Sequence, residues 1–154
     1  MTRVQLALRV PDLAASVAFY TKLFGTEPAK LRDGYANFAV TTPPLKLVLI
    51  EGTEGQPTRL DHLGIEVDTT EEVHSAAGRL SEAGLTTSEE NDTTCCYALQ
   101  DKVWVHGPGQ EPWEVYVVKA DADTLTKQQR STCCANTPEA EANQQSATVG
   151  SRCC

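Results

Sequence analysis

Six cysteines stand in three adjacent pairs: Cys95-Cys96, Cys133-Cys134 and Cys153-Cys154. A disulfide framework needs spaced cysteines whose Cα atoms and Cβ vectors converge, and neighbouring cysteines close only a strained ring. The pairs therefore read as dithiols of a reducing compartment. Two adjacent thiolates can chelate one soft, thiophilic atom. The plainer alternative is chance doubling of a small hydrophobe; one pair fits it easily, three fit it poorly. Three other residues have metal-ligating types: Gln5, His62 and Glu114. An imidazole, a carboxylate and an amide carbonyl form an open N/O site suited to Fe(II), Mn(II) or Ni(II) with exchangeable positions. A His and a Glu on separate strands prove little alone, so the weight falls on the elements that would bring them together.

Those elements repeat. Residues 4–10, VQLALRV, resemble 61–67, DHLGIEV, and both alternate with period two as strands do. Each leads into a helix. Pro11-Asp12 starts the first, whose apolar stripe is Leu13, Val17, Tyr20 and Phe24, and Gly25 stops it. Thr69 with Glu72 fits a capping box for the second, whose stripe is Val73, Ala77 and Leu80 before Gly84. Short strands are expected at 28–31, 35–41 and 45–51 in the first half, and at 86–89, 94–99, 101–106 and 112–118 in the second. The prediction is an α+β domain over 1–120, built from two βαβββ modules (1–52 and 58–120) forming one curved, open-barrel sheet with its helices outside.

Alternation then sorts the side chains. Gln5, His62 and Glu114 fall on the faces that carry small or polar residues, where a ligand cavity inside a curved sheet belongs. Gln5 and His62 hold equivalent positions in the repeat. Lys46 occupies the position equivalent to Glu114, so the duplicated scaffold offers a complete site once only. Tyr35, Asn37, Tyr97, Lys102 and Trp104 are candidate pocket residues, and His106 is weighed between pocket and solvated turn. Loop character is expected over 91–102, with mobility that would admit a substrate. The modules could pair within one chain or swap between two, giving a homodimer.

The formal charge of -8 makes nucleic acid and anionic membrane surfaces poor partners. The longest apolar runs are far too short to span a bilayer, the first residues lack signal-peptide anatomy, and the expected location is the cytoplasm. Beyond residue 120 large apolar side chains almost vanish after Leu125. Such a segment buries too little surface to offset its ordering entropy, so 121–154 is expected to be a flexible tail carrying two of the cysteine pairs.

With these residues in place, the chain resembles the vicinal oxygen chelate superfamily of glyoxalases, bleomycin-binding proteins and extradiol dioxygenases over residues 3–119. The resemblance rests on the ligand position in the first strand, Pro11-Asp12-Leu13, Phe19-Tyr20, Leu23-Phe24-Gly25, Asp61-His62-Leu63-Gly64, and Gly107-Pro108 before Trp113-Glu114-Val115-Tyr116. The stretches 24–30, 34–39 and 43–49, with the Cys95-Cys96 pair, are similar to the branch of non-heme iron, dioxygen-dependent carbon–arsenic lyases and cadmium-induced-protein-like relatives. That resemblance implies Fe(II) on Gln5, His62 and Glu114, arsenic on Cys95 and Cys96, and cleavage of trivalent organoarsenicals such as methylarsenite or aromatic arsenicals to arsenite. The family pattern has His where this chain has Gln5, and an amide oxygen is a weaker, neutral donor. Two rival readings are another metal-dependent enzyme of the superfamily, a thiol transferase or isomerase, and a non-catalytic binder of arsenic or cadmium.

Overall fold

The computed structural model describes residues 1–129. Each half opens on a strand and a helix: β1 (Arg3–Val10) and α1 (Leu13–Phe24), then β5 (Arg59–Glu66) and α2 (Thr70–Glu82). The first half continues through β2 (Lys30–Arg32), β3 (Tyr35–Val40) and β4 (Leu45–Glu51). The second continues through β6 (Thr87–Cys95), β7 (Ala98–His106) and β8 (Pro112–Asp121), and a short β9 (Gln128–Gln129) follows. The nine strands form one sheet in the order β2-β3-β4-β1-β5-β8-β7-β6-β9. Within each module the first strand pairs in parallel with the last, β1 with β4 and β5 with β8. The modules join where β1 lies antiparallel to β5 in the same chain. The expected α+β arrangement of two βαβββ units is the one observed.

The helix signals act as read. Asp12 caps α1 by accepting from the Ala15 N–H at 2.8 Å, and Gly25 ends it at φ 65°. Thr69 and Glu72 form the capping box of α2. Helix α1 lays Leu13, Val17, Tyr20 and Phe24 against Phe38, Leu47 and Leu49. Helix α2 lays Val73, Ala76 and Ala77 against Val103, Val115 and Val117. Both helices thus cover one side of the sheet, and the other side carries buried polar residues beside a smaller apolar cluster of Ala7, Tyr35, Val48, Ile50 and Tyr97.

Three expectations are corrected. The strand expected at 94–99 is the tip of a hairpin: β6 runs to Cys95, Cys96 and Tyr97 turn at φ 55° and 59°, and β7 begins at Ala98. Residues 91–102, expected as a loop, are mostly paired strand, with an irregularity between Glu90 and Thr93 where Asp92 takes φ 50°. Residues 121–129, expected to open a flexible tail, fold back onto this hairpin. Leu125 and Thr124 carbonyls accept from the Cys96 and Tyr97 N–H groups, at 3.1 and 2.9 Å, and β9 pairs with β6. Cys133-Cys134 and Cys153-Cys154 lie outside the described residues.

Candidate metal centre

Register explains how residues over a hundred positions apart meet. On β1, Gln5 lies opposite Gly64 of β5, and Gly64 lies opposite Glu114 of β8. His62 sits one side-chain repeat away on β5, opposite Ala7. The residue between Gln5 and Glu114 must be small. A Cβ on Gly64 would meet Gln5 Cβ, Gln5 Nε2 and Glu114 Cγ, each at 3.2 Å. Glycine there lets the two side chains lean together over the strand.

Gln5, His62 and Glu114 are all buried. The Gln5 amide nitrogen stands 3.0 Å from His62 Nε2 and 2.8 Å from Glu114 Oε1, and His62 Nε2 is 3.4 Å from the same oxygen. Three donors at right angles around one ion, each on a bond of roughly 2.1 Å, stand about 3 Å apart. The three groups therefore have the spacing of three ligands on one face of a divalent ion. Among the described residues no three His, Cys, Asp or Glu side chains form such a group, because the third member here is an amide. Its orientation follows from its neighbours: Tyr116 donates to Gln5 Oε1 at 2.5 Å. An amide and its mirror placement fill the same space. Reversed, Gln5 turns Oε1 towards His62 and Glu114 and donates Nε2–H to the Tyr116 hydroxyl, which can accept as well as donate. The donor set then fits Fe(II) or Mn(II).

Charges around the three are balanced. Lys102 Nζ donates to Glu114 Oε2 at 2.6 Å with both side chains buried. Burial opposes the ionised form of Glu114, but Lys102 and His62 outweigh it and hold the carboxyl at about 2. Burial likewise opposes a charged His62, but Asp61 on Nδ1 and Glu114 on Nε2 outweigh it and raise the imidazole to about 9. Burial, with a smaller push from the Arg3 charge, lowers the Lys46 ammonium; Glu66, 3.8 Å away, only partly offsets it.

The other expected site residues divide. Trp104 meets the His62 ring edge-on with centroids 5.5 Å apart. Tyr35 and Tyr97 are buried against each other at 5.5 Å, and Asn37 donates to the Tyr35 hydroxyl at 3.0 Å. Tyr97 also donates to the Asp33 carbonyl, which ties the β6–β7 tip across to the first module. His106 ends β7, exposed and paired with Pro112. The Cys95 and Cys96 sulfurs stand 3.2 Å apart, beyond the roughly 2.05 Å of a disulfide. Cys95 is buried, Cys96 partly so, and both thiols lie near enough to Lys102 and Tyr35 to act on their ionisation. They therefore share the sheet face that holds Glu114. Sequence reasoning missed Gly64, Tyr116 and Asp61. Tyr116 was detectable, lying two residues from Glu114 on one strand face; Asp61 was not, since alternation sets it opposite His62.

Residues 2–115 match the glyoxalase/bleomycin resistance protein/dioxygenase superfamily. The chain belongs to that superfamily. Within it, the chain is 66% identical over 154 residues, the full length of both proteins, to a trivalent organoarsenical cleaving enzyme of Thermomonospora curvata. It is 59% identical over 127 residues, 81% of this chain and 82% of the relative, to the cadmium-induced protein CadI of Mycobacterium tuberculosis. Among solved structures, an extradiol ring-cleaving dioxygenase of Brevibacterium fuscum matches 79% of this chain and 34% of its own, with TM-score 0.56 at 23% identity. A Mn(II)-bound glyoxalase of Novosphingobium aromaticivorans matches 84% and 44%, with TM-score 0.56 at 19% identity. These two likenesses concern the fold.

Proposed function

We propose that the protein cleaves the carbon–arsenic bond of trivalent organoarsenicals, using Fe(II) and dioxygen. The observation that carries the reading is the thiol pair on the β6–β7 tip, with sulfurs 3.2 Å apart on the face that holds His62 and Glu114. Two thiolate bonds of roughly 2.3 Å, the length found at zinc, span about 3.3 Å when they meet at a right angle. The pair is thus set to grip one soft atom with two open positions. Trivalent arsenic bearing one carbon group is such an atom, and its two hydroxyls leave as water when the thiols bind. The full-length likeness to a protein named for organoarsenical cleavage supports the same substrate class.

Gln5, His62 and Glu114 would hold the iron, and Lys102 keeps Glu114 ionised for that task. Bound Fe(II) would supply the activation of dioxygen. The rest is positioning, which can remove several kcal/mol of barrier. Cys95 and Cys96 would fix the arsenic, with Tyr35 and Tyr97 packed beside Cys96 and Trp104 beside His62. For methylarsenite the atoms balance without a further reductant. The carbon–arsenic bond breaks, one oxygen goes to carbon to give formaldehyde, and the other, with one methyl hydrogen, becomes the third hydroxyl of arsenite.

The test is to purify Cys95→Ser and Cys96→Ser and measure methylarsenite binding and arsenite release with Fe(II) in air. Each variant is expected to lose release and to bind the arsenical more weakly. Full release by either variant rejects the dithiolate role. Tight binding by the wild-type protein with no release would favour the sequestering reading instead.

A further inference from the structure

The geometry points to Asp61 as the residue that orients His62, with Arg9 fixing Asp61 in turn. Strict alternation would turn Asp61 to the opposite sheet face. The β1–β5 register breaks here: Ala7 pairs with His62 but Leu8 pairs with Leu60, which leaves Asp61 as the extra residue of a bulge. A bulge re-aims a side chain, and bulges recur beside active sites for that reason. The corresponding strand of the first module runs beside β4 with no break from Val4 to Val10.

The re-aimed carboxylate uses both oxygens. Oδ1 stands 2.7 Å from His62 Nδ1, and Oδ2 accepts from Arg9 Nε at 2.5 Å. The Asp61 side chain is 10% exposed, so water competes weakly for it. A carboxylate on Nδ1 keeps the proton there and presents the Nε2 lone pair to a metal, and it fixes the ring plane. His62 Nε2 is the atom aimed at Gln5 and Glu114. Trp104 braces the same ring from its edge. A matched pair at the other end of the seam supplies a control. Arg3 Nε donates to Glu66 Oε2 at 2.6 Å across the same two strands, without touching His62.

The consequence for metal affinity rests on the metal-centre reading; the orientation of the ring does not. Proton NMR of the metal-free protein tests the orientation. A downfield His62 Nδ1–H resonance is expected in the wild type and in Arg3→Met, and its loss in Asp61→Asn. No such resonance in the wild type, or its survival in Asp61→Asn, overturns the assignment. Equilibrium titration with Fe(II) under anaerobic conditions, and with Co(II) followed by its absorption spectrum, tests the consequence. Asp61→Asn should bind about 10–100-fold more weakly with an altered Co(II) spectrum, Arg9→Gln should show a smaller loss, and Arg3→Met should bind as the wild type does. Equal weakening in Arg3→Met would make the effect one of seam stability and overturn the assignment. A shifted Nδ1–H resonance in a wild type that takes no metal would leave Asp61 orienting His62 and reject the metal centre.

Discussion

Module one packs aromatic rings between helix and sheet, with Tyr20 and Phe24 each about 6 Å from Phe38. Module two covers the same area with Val73, Ala76, Ala77 and three valines of the sheet. On the opposite face the contrast reverses. Module one gives the centre one neutral group, Gln5, and sets Val48 beside Ala7 where module two sets Glu114 beside the equivalent Gly64, so the counterpart of Glu114 is Val48 and not Lys46 as the sequence alignment of the halves predicts. Module two gives His62, Glu114, the thiol pair and the bulge at Asp61. One copy of the duplicated unit acts mainly as a wall, and the other carries most of the candidate site. A single site results because a second carboxylate and a second imidazole are missing from the first copy.

The largest expected effect separates the two copies at the centre. His62→Ala and Glu114→Ala should each weaken Fe(II) binding by more than the roughly 10–100-fold that outer-shell changes cost, while Gln5→Ala should fall short of that in anaerobic titration. Equal losses would remove the division of labour. The cores differ next. Phe38→Ala should cost about 3–5 kcal/mol in urea unfolding, and Val73→Ala about 2 kcal/mol, from two methyl-sized groups at roughly 0.8 each with a small cavity term. A larger loss at Val73 would contradict this contrast between the cores. At the seam, Gly64→Ala should cost about 1–3 kcal/mol by overpacking, and it should also weaken metal binding by pushing Gln5 from Glu114.

The smallest effect depends on pH. Asp101 is buried beneath α2, where it accepts from the Thr70 hydroxyl at 2.7 Å and the Asp92 N–H at 2.8 Å, with Lys119 3.1 Å away. Burial opposes its charge, but these partners outweigh it and hold the carboxyl below its usual range. A lowered native value stabilises the fold above the unfolded value of about 3.9, and that stabilisation is lost as pH falls through the native value. Asp101→Asn should therefore cost about 1–2 kcal/mol at pH 7, and the difference from wild type should shrink towards pH 3. A constant difference would mean that the hydrogen bonds matter and the charge does not.

Much of the architecture was legible because it follows from local rules. Period-two strands, the Asp12 cap, the Thr69-Glu72 box and the two apolar stripes each specify their element within a few residues. The register of Gln5 against His62 followed from the repeat, and the three side chains do converge. The β6–β7 tip was not legible. Cys96 and Tyr97 take positive φ, which side-chain-bearing residues rarely adopt, and neither is a turn residue by type. The turn is held by the distant Thr124 and Leu125 carbonyls and by Asp33. The same holds for Asp61, whose aim depends on a register break between strands. Composition also misjudged residues 122–127, because a few backbone bonds and Leu125 suffice to dock them.

On the proposed reading, iron held by Gln5, His62 and Glu114 and arsenic held by Cys95 and Cys96 react with dioxygen at one site. The direct measurement is arsenite release from methylarsenite by the purified protein, with and without Fe(II), in air and under argon. Release only when both Fe(II) and dioxygen are present is the predicted result. Release under argon or without iron, or binding of the arsenical with no release under any condition, would contradict it.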